Sequence, residues 1–160
     1  MSNSPDRMAP ALDGRWQRIL EQLRELVSKS GDPIAWRATT VALLHHKVPG
    51  VSWTGFYTLR GGELLVESYQ GPLACIRLEA HTGVCWAAIK EEKTIMVPDV
   101  EKFPGHIPCD SRTRAEIVVP FRNPEGKICG VLDVDSHRPG HFDSGHAAGY
   151  EAVIRLLETS

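Results

Sequence analysis

The stretch Glu116-Ile117-Val118-Val119-Pro120-Phe121-Arg122-Asn123-Pro124-Glu125-Gly126-Lys127-Ile128-Cys129-Gly130-Val131-Leu132-Asp133-Val134-Asp135 decides the fold. Two runs rich in β-branched residues, Glu116–Phe121 and Lys127–Asp135, flank the turn-forming Asn123-Pro124-Glu125-Gly126. Apolar arms around such a turn predict a β-hairpin. Side chains alternate along a strand, so Asp133 and Asp135 share one face while Leu132 and Val134 share the other. Two carboxylates on one face repel unless water or a cation matches them. They are therefore either a solvated strand end or the acidic wall of a pocket, where desolvation and repulsion raise a pKa and permit proton donation. Glu116, on the partner arm, could join them.

Upstream the pattern repeats. Val51, Trp53, Gly55, Tyr57 and Leu59 fall on one face of a strand, and Arg60-Gly61-Gly62 supports a hairpin into Glu63–Tyr69. Trp53 and Tyr57 share that face, either as simple core or as an aromatic wall for an apolar or positively polarised group. A short strand is expected at Leu73–Leu78, carrying Cys75. Gly83 opens a short helix to about Glu92, with Cys85 near its start, and Thr94–Val97 reads as a strand. Pro98 to Ala115 is long, irregular and rich in turn residues, which in a compact domain usually marks function.

Helices bracket the strands. Trp16, Ile19, Leu20, Leu23, Leu26 and Val27 recur at helical spacing. Ser28 to Gly31 ends that helix, and Asp32-Pro33 starts a second, an N-cap followed by proline at the first helical position, running to about His46. Asp143-Ser144 caps a last helix with Tyr150, Val153, Ile154 and Leu157 on one face. Residues 1–10 read as a mobile tail and 11–160 as one domain. Hairpin-joined strands with helices at both ends predict an α+β domain. Its sheet is antiparallel, its N- and C-terminal helices lie on one face, and loops enclose a small-molecule pocket on the other.

Composition narrows the function. The 160-residue chain is 42% hydrophobic and 24% charged, ordinary for a globular domain. A net charge of −2 gives no reason to expect nucleic acid or an anionic membrane as partner. No apolar run approaches a membrane span. Met1 to Pro10 lacks the apolar core of a signal peptide, so the four cysteines point to a reducing, cytoplasmic setting and to thiol chemistry. There a disulfide is expected to be transient and catalytic.

Cys109 is the first candidate nucleophile. It lies in the long loop after His106, beside Asp110 and near Arg112 and Arg114, and a neighbouring cation lowers a thiol pKa. Its alternative is an inert buried thiol. Cys75 between apolar neighbours reads as core. Cys85 is either activated by the helix dipole or packed under the helix. A zinc site from Cys85, Cys109 and His106 is conceivable, but no Cys-x-x-Cys pair supports it. Cys129, within an Ile/Val/Leu-type strand, reads as core.

Taken in order, Trp53-Thr54-Gly55-Phe56-Tyr57, Gln70-Gly71-Pro72-Leu73-Ala74-Cys75, Gly83-Val84-Cys85, Gly105 to Asp110, Glu116 to Pro120 and Gly130 to Ser136 resemble the free methionine-(R)-sulfoxide reductases, which are built on a GAF domain. The resemblance runs from about Val51 to the C-terminus and includes the cysteine spacing. It implies reduction of free methionine-R-sulfoxide without a bound cofactor or metal. Cys109 would attack the sulfoxide sulfur, Cys75 would resolve the sulfenic acid as a disulfide, and Cys85 would assist recycling. Glu116, Asp133 and Asp135 would hold the ammonium group or protonate the oxygen, and Trp53 and Tyr57 would enclose the methyl end. A thioredoxin-type dithiol would be the external reductant, and a homodimer is one assembly the resemblance allows. Trp86 after Cys85, Pro108 before Cys109, a longer turn at Asn123–Gly126 and the extra Cys129 depart from the family pattern. Two other readings compete: a GAF small-ligand sensor without catalysis, and a thiol redox switch.

Overall fold

Among the described residues, three of the four α-helices are started by an aspartate placed to receive their free backbone N–H groups. In the computed structural model, which describes residues 11–106 and 109–160, Asp13 accepts from the Trp16 amide at 3.1 Å and opens α1 (Gly14–Val27). Asp32 accepts from the Ile34 amide at 2.9 Å and, with Pro33 following, opens α2 (Pro33–Lys47). Asp143 opens α4 (Ser144–Glu158) in a reciprocal cap with His146. Each such cap is worth about 1 kcal/mol. The expected mobile tail lies in residues 1–10, outside the described residues.

Six strands, β1 (Trp53–Arg60), β2 (Glu63–Gln70), β3 (Arg77–Leu78), β4 (Ile95–Val97), β5 (Ala115–Arg122) and β6 (Ile128–Ser136), form one sheet in the order β3-β2-β1-β6-β5-β4. Every neighbouring pair is antiparallel, as the two hairpins predict. Both hairpin arms match the expected strands to within two residues at each end.

α1, α2 and α4 cover one face. Their apolar stripes meet Phe56, Ile117, Val119, Leu132 and Val134 in the larger core. Trp16 lies directly over Gly149 of α4, where an added Cβ would sit 2.1 Å from the indole, so only glycine permits this approach.

The opposite face is more than loops. α3 (Gly83–Glu91) packs Val84, Cys85, Trp86 and Ala88 against Trp53, Tyr57, Leu64, Val118 and Val131 in a second core. The sheet is therefore sandwiched, and the site lies between it and α3 with its flanking loops.

One expected element is corrected. Leu73–Leu78 is not a strand carrying Cys75; the strand is only Arg77–Leu78, and Cys75 sits in the irregular segment before it. Side chains take the carbonyls that a ladder would have used. The Trp53 indole N–H donates to the Pro72 oxygen at 3.1 Å, and the Tyr57 hydroxyl donates to the Cys75 oxygen at 3.3 Å. Cys75 is half-buried, not core, and it is bonded to Cys109.

Candidate active site

Strand register builds the floor of the site. Trp53 of β1, Asp135 of β6 and Glu116 of β5 are directly opposite one another, in one row across three strands. Gly55, Asp133 and Val118 form the next row. Opposite residues in antiparallel strands have Cβ atoms about 5 Å apart, and diagonal ones remain within reach of long side chains. Glu116 thus faces Asp135 and lies diagonal to Asp133. One side chain atom each of Glu116, Asp133 and the Cys85 thiol fall within 4.8 Å of one another.

These acids are not a solvated strand end. Glu116 and Asp133 are each 6% exposed, and Asp135 is half-buried. Burial is the main cause of their perturbation and repulsion adds to it. Burial and the Asp135 carboxyl push Glu116 up to about 8, against a partial offset from its contact with Asp133. Burial, then Glu116, raises Asp133; burial, then Asp133 and Asp110, raises Asp135. Carboxyls this close cannot all ionise together, so at neutral pH the cluster keeps protons. One δ oxygen each of Asp133 and Asp135 is buried without a hydrogen-bond partner.

An aromatic wall stands beside the acids. The Trp53 ring is stacked between Tyr57 (centroids 5.7 Å apart) and Tyr69 (5.3 Å). Gly55 makes room for that stack, because a Cβ there would come within 2.4 Å of the indole and 2.5 Å of Tyr69. Tyr57 is held as a neutral phenol, mainly by burial and then by Asp133.

At the other side Cys75 and Cys109 are joined as a disulfide, with Cα atoms 5.6 Å apart. A cavity of about 240 Å³ connects all these groups. Trp53, Tyr57, Cys75, Cys85, Cys109, Glu116, Asp133 and Asp135, the residues singled out from sequence, all line it. The volume is below the roughly 300–1,000 Å³ of pockets for drug-sized molecules and fits something of amino-acid size.

The thiols divide sharply. Cys109 is exposed, whereas Cys85 is 5% exposed and free. Burial, followed by Asp133 and Glu116, holds Cys85 as a neutral thiol. Of the two readings for Cys85, the packing is the one the geometry shows: the thiol is buried under α3 beside the acids, and that desolvation raises its pKa. Cys129 is half-buried at the margin of the helix-side core. The conceivable zinc set of Cys85, Cys109 and His106 is not assembled, since Cys109 is spent in the disulfide. Cys85, Glu116 and Asp133 are donor types that also bind metals, and the three lie close enough together to share one ligand.

The charged neighbours of Cys109 are engaged elsewhere. The Arg112 guanidinium grips Asp110 at 3.0 and 3.2 Å, and that contact, aided by the Arg112 amide and His137, pulls the Asp110 carboxyl down to about 2. Burial lowers His106, which lines the cavity as a neutral imidazole. Ile107 and Pro108 lie outside the described residues. Sequence reasoning missed Tyr69 in the aromatic stack and Thr82 and Thr113 in the cavity lining.

Known proteins share this framework. The GAF domain family model matches residues 12–159. GAF domain-containing protein A of Dictyostelium discoideum is 39% identical over 145 residues, 90% of each chain. The free methionine-R-sulfoxide reductase of Escherichia coli is 36% identical over 125 residues, 78% of this chain and 75% of that one. The structure of free methionine-R-sulfoxide reductase from Neisseria meningitidis, in complex with its substrate, superposes with a TM-score of 0.86 at 36% identity, covering 95% of this chain and 92% of that one. The chain belongs to the GAF domain family and, within it, to the free methionine-R-sulfoxide reductases.

Proposed function

We propose that the protein reduces free L-methionine-(R)-S-oxide to L-methionine, closing a Cys75–Cys109 disulfide that an external thioredoxin-type dithiol reopens. The observation that carries this reading is the disulfide at the cavity whose opposite wall is Glu116, Asp133 and Asp135.

The acid cluster suits a zwitterionic amino acid bearing an S=O group. A protein-bound sulfoxide offers no free ammonium, so the cluster favours the free form. One ionised carboxylate can pair with the ammonium while a neutral neighbour donates to the sulfoxide oxygen. Mutual repulsion supports both states at once, because it separates the proton affinities of adjacent acids. The Trp53–Tyr57 wall gives the methylthio end an apolar surface, and sulfur packs well on aromatic rings.

Chemistry then follows the thiols. The Cys109 thiolate attacks the sulfoxide sulfur while an acid of the cluster protonates the oxygen. The oxygen passes to Cys109, leaving methionine and a Cys109 sulfenic acid. The Cys75 thiol attacks that sulfur, water leaves, and the disulfide forms. Reduction of one sulfoxide thus oxidises two thiols, and two electrons and two protons from an external dithiol restore them. No bound cofactor or metal has a step to perform. Cys85, buried and neutral, would enter recycling only as an auxiliary thiol after movement of α3. A reducing compartment, the cytoplasm, fits a cycle that ends on a dithiol.

The test is turnover of separated R and S sulfoxides, each free and peptide-bound, with dithiothreitol as reductant. Consumption of the free R form alone is expected. Equal consumption of both epimers, or of the peptide-bound form, overturns the reading. Disulfide formation without any methionine would instead favour a thiol redox switch.

A further inference from the structure

The Cys75–Cys109 disulfide has an unusual border. Four large apolar side chains are exposed among the described residues, and two of them flank Cys75: Leu73 at 86% and Ile76 at 77%. A single exposed apolar residue is ordinary, but two of this size placed two before and one after a redox-active cysteine form a patch. Their backbone is held, not slack. Trp53 and Tyr57 grip the Pro72 and Cys75 carbonyls from beneath, and the Val66 amide donates to the Ile76 oxygen at 2.9 Å. The segment leads into β3, an edge strand of the sheet, so among the described residues no strand covers its outer side.

Two charged groups bordering the patch are matched within the protein. Arg77 pairs with Glu63 at 2.9 Å and Asp110 with Arg112 at 3.0 Å. A partner for this surface needs apolar contact more than a complementary charge. It must also bring thiols, because Cys109, the exposed member of the disulfide, stands beside the patch.

We infer that Leu73 and Ile76 are the docking surface for a dithiol reductant protein with an apolar rim, which attacks the disulfide at Cys109. This rests on the catalytic cycle proposed above. One partner thiolate bonds to the Cys109 sulfur, the Cys75–Cys109 bond breaks, and Cys75 leaves as a thiolate that takes a proton from solvent. The partner's second thiol then attacks its own sulfur in the mixed disulfide and releases Cys109. The partner ends oxidised by two electrons and this protein ends reduced. The clamp from Trp53 and Tyr57 presents the patch in a fixed position, which lowers the entropy lost on docking.

The experiment follows reduction of the oxidised protein directly, so it does not depend on sulfoxide turnover. Thioredoxin, with its reductase and NADPH, is compared with dithiothreitol on the oxidised wild type, Ile76→Ser and Leu73→Ser. The rate constant with thioredoxin is expected to fall about tenfold for Ile76→Ser, the loss given by one poorly buried aliphatic contact. Its rate with dithiothreitol stays at the wild-type value. For Leu73→Ser, at the cavity rim, the thioredoxin rate falls further than the dithiothreitol rate. A thioredoxin lacking its second cysteine should be trapped on Cys109. An unchanged thioredoxin rate in both variants, an equal loss with both reductants, or trapping on Cys75 overturns the inference. Failure to reduce free methionine-R-sulfoxide with dithiothreitol would sink the catalytic reading instead, and the two outcomes are read separately.

Discussion

Glu116→Gln should remove a large part of the stability that the oxidised protein loses as pH rises. The carboxyl is buried against Asp135 and Asp133, and burial holds its proton until about pH 8, compared with 4.5 in the unfolded chain. An acid with a raised folded pKa favours the fold most below its unfolded value. Between these two values the native state keeps a proton that the unfolded chain releases, so stability falls with rising pH. Full linkage costs about 1.4 kcal/mol per pH unit, so moving from about pH 5 to about pH 8 should cost roughly 3 kcal/mol from this group. Glutamine matches the neutral acid in shape and cannot ionise. Urea unfolding of wild type and variant at both pH values gives the difference. Any lowered histidine, such as His106, acts in the opposite direction but cancels on subtraction. Asp133 and Asp135 keep a dependence of the same sign in both proteins, and Asp133, relieved of the Glu116 carboxyl that helps raise it, becomes less pH-dependent in the variant, which adds to the difference. The expected result is a drop steeper in wild type than in Glu116→Gln by about 3 kcal/mol or more. Parallel curves would refute the claim that this acid is protonated in the fold, and with it the proton donor assigned to the cluster.

Other outcomes follow from the same geometry. Cys109→Ser should abolish methionine formation, whereas Cys75→Ser should release about one equivalent per protein and then stall with a thioredoxin-type reductant; quenched-flow product analysis distinguishes them. Gly55→Ala should push the Trp53 ring off its stack, lowering stability by about 1–3 kcal/mol and weakening substrate binding, as measured by unfolding and by KM. Cys85 in the folded, oxidised protein should resist iodoacetamide at neutral pH and react only on unfolding; rapid native labelling would contradict its neutral, buried state.

Much of the site was legible because strand alternation is strict. The pattern of Leu132, Asp133, Val134 and Asp135 assigned both carboxylates to one face, and the hairpin to β5 brought Glu116 alongside. Alternation does not say whether that face is wet. α3 dries it, and nothing in the spacing of Gly83 to Glu91 tells which side of the sheet the helix will choose. Tyr69 escaped for a different reason. Arg60 pairs with Glu63 across the turn, and in that register Gly55 would face Ser68. A bulge between Gly55 and Tyr57 shifts the pairing by one and puts Tyr69 opposite Gly55. Such an irregularity leaves no mark in the turn residues. The segment around Cys75 misled because Leu73, Ile76 and Leu78 look like strand residues, yet two of them face solvent beside the disulfide. Long-range side-chain bonds from Trp53 and Tyr57, not local propensity, set its path.

The central claim is that Cys109 and Cys75 together carry the two electrons used on one free sulfoxide. Fully reduced protein, mixed with one equivalent of free methionine-R-sulfoxide and no reductant, should yield one equivalent of methionine. Peptide mapping by mass spectrometry should then find the Cys75–Cys109 linkage, with Cys85 and Cys129 still free. Methionine formed with a disulfide to Cys85, or a Cys75–Cys109 disulfide without methionine, would contradict the account.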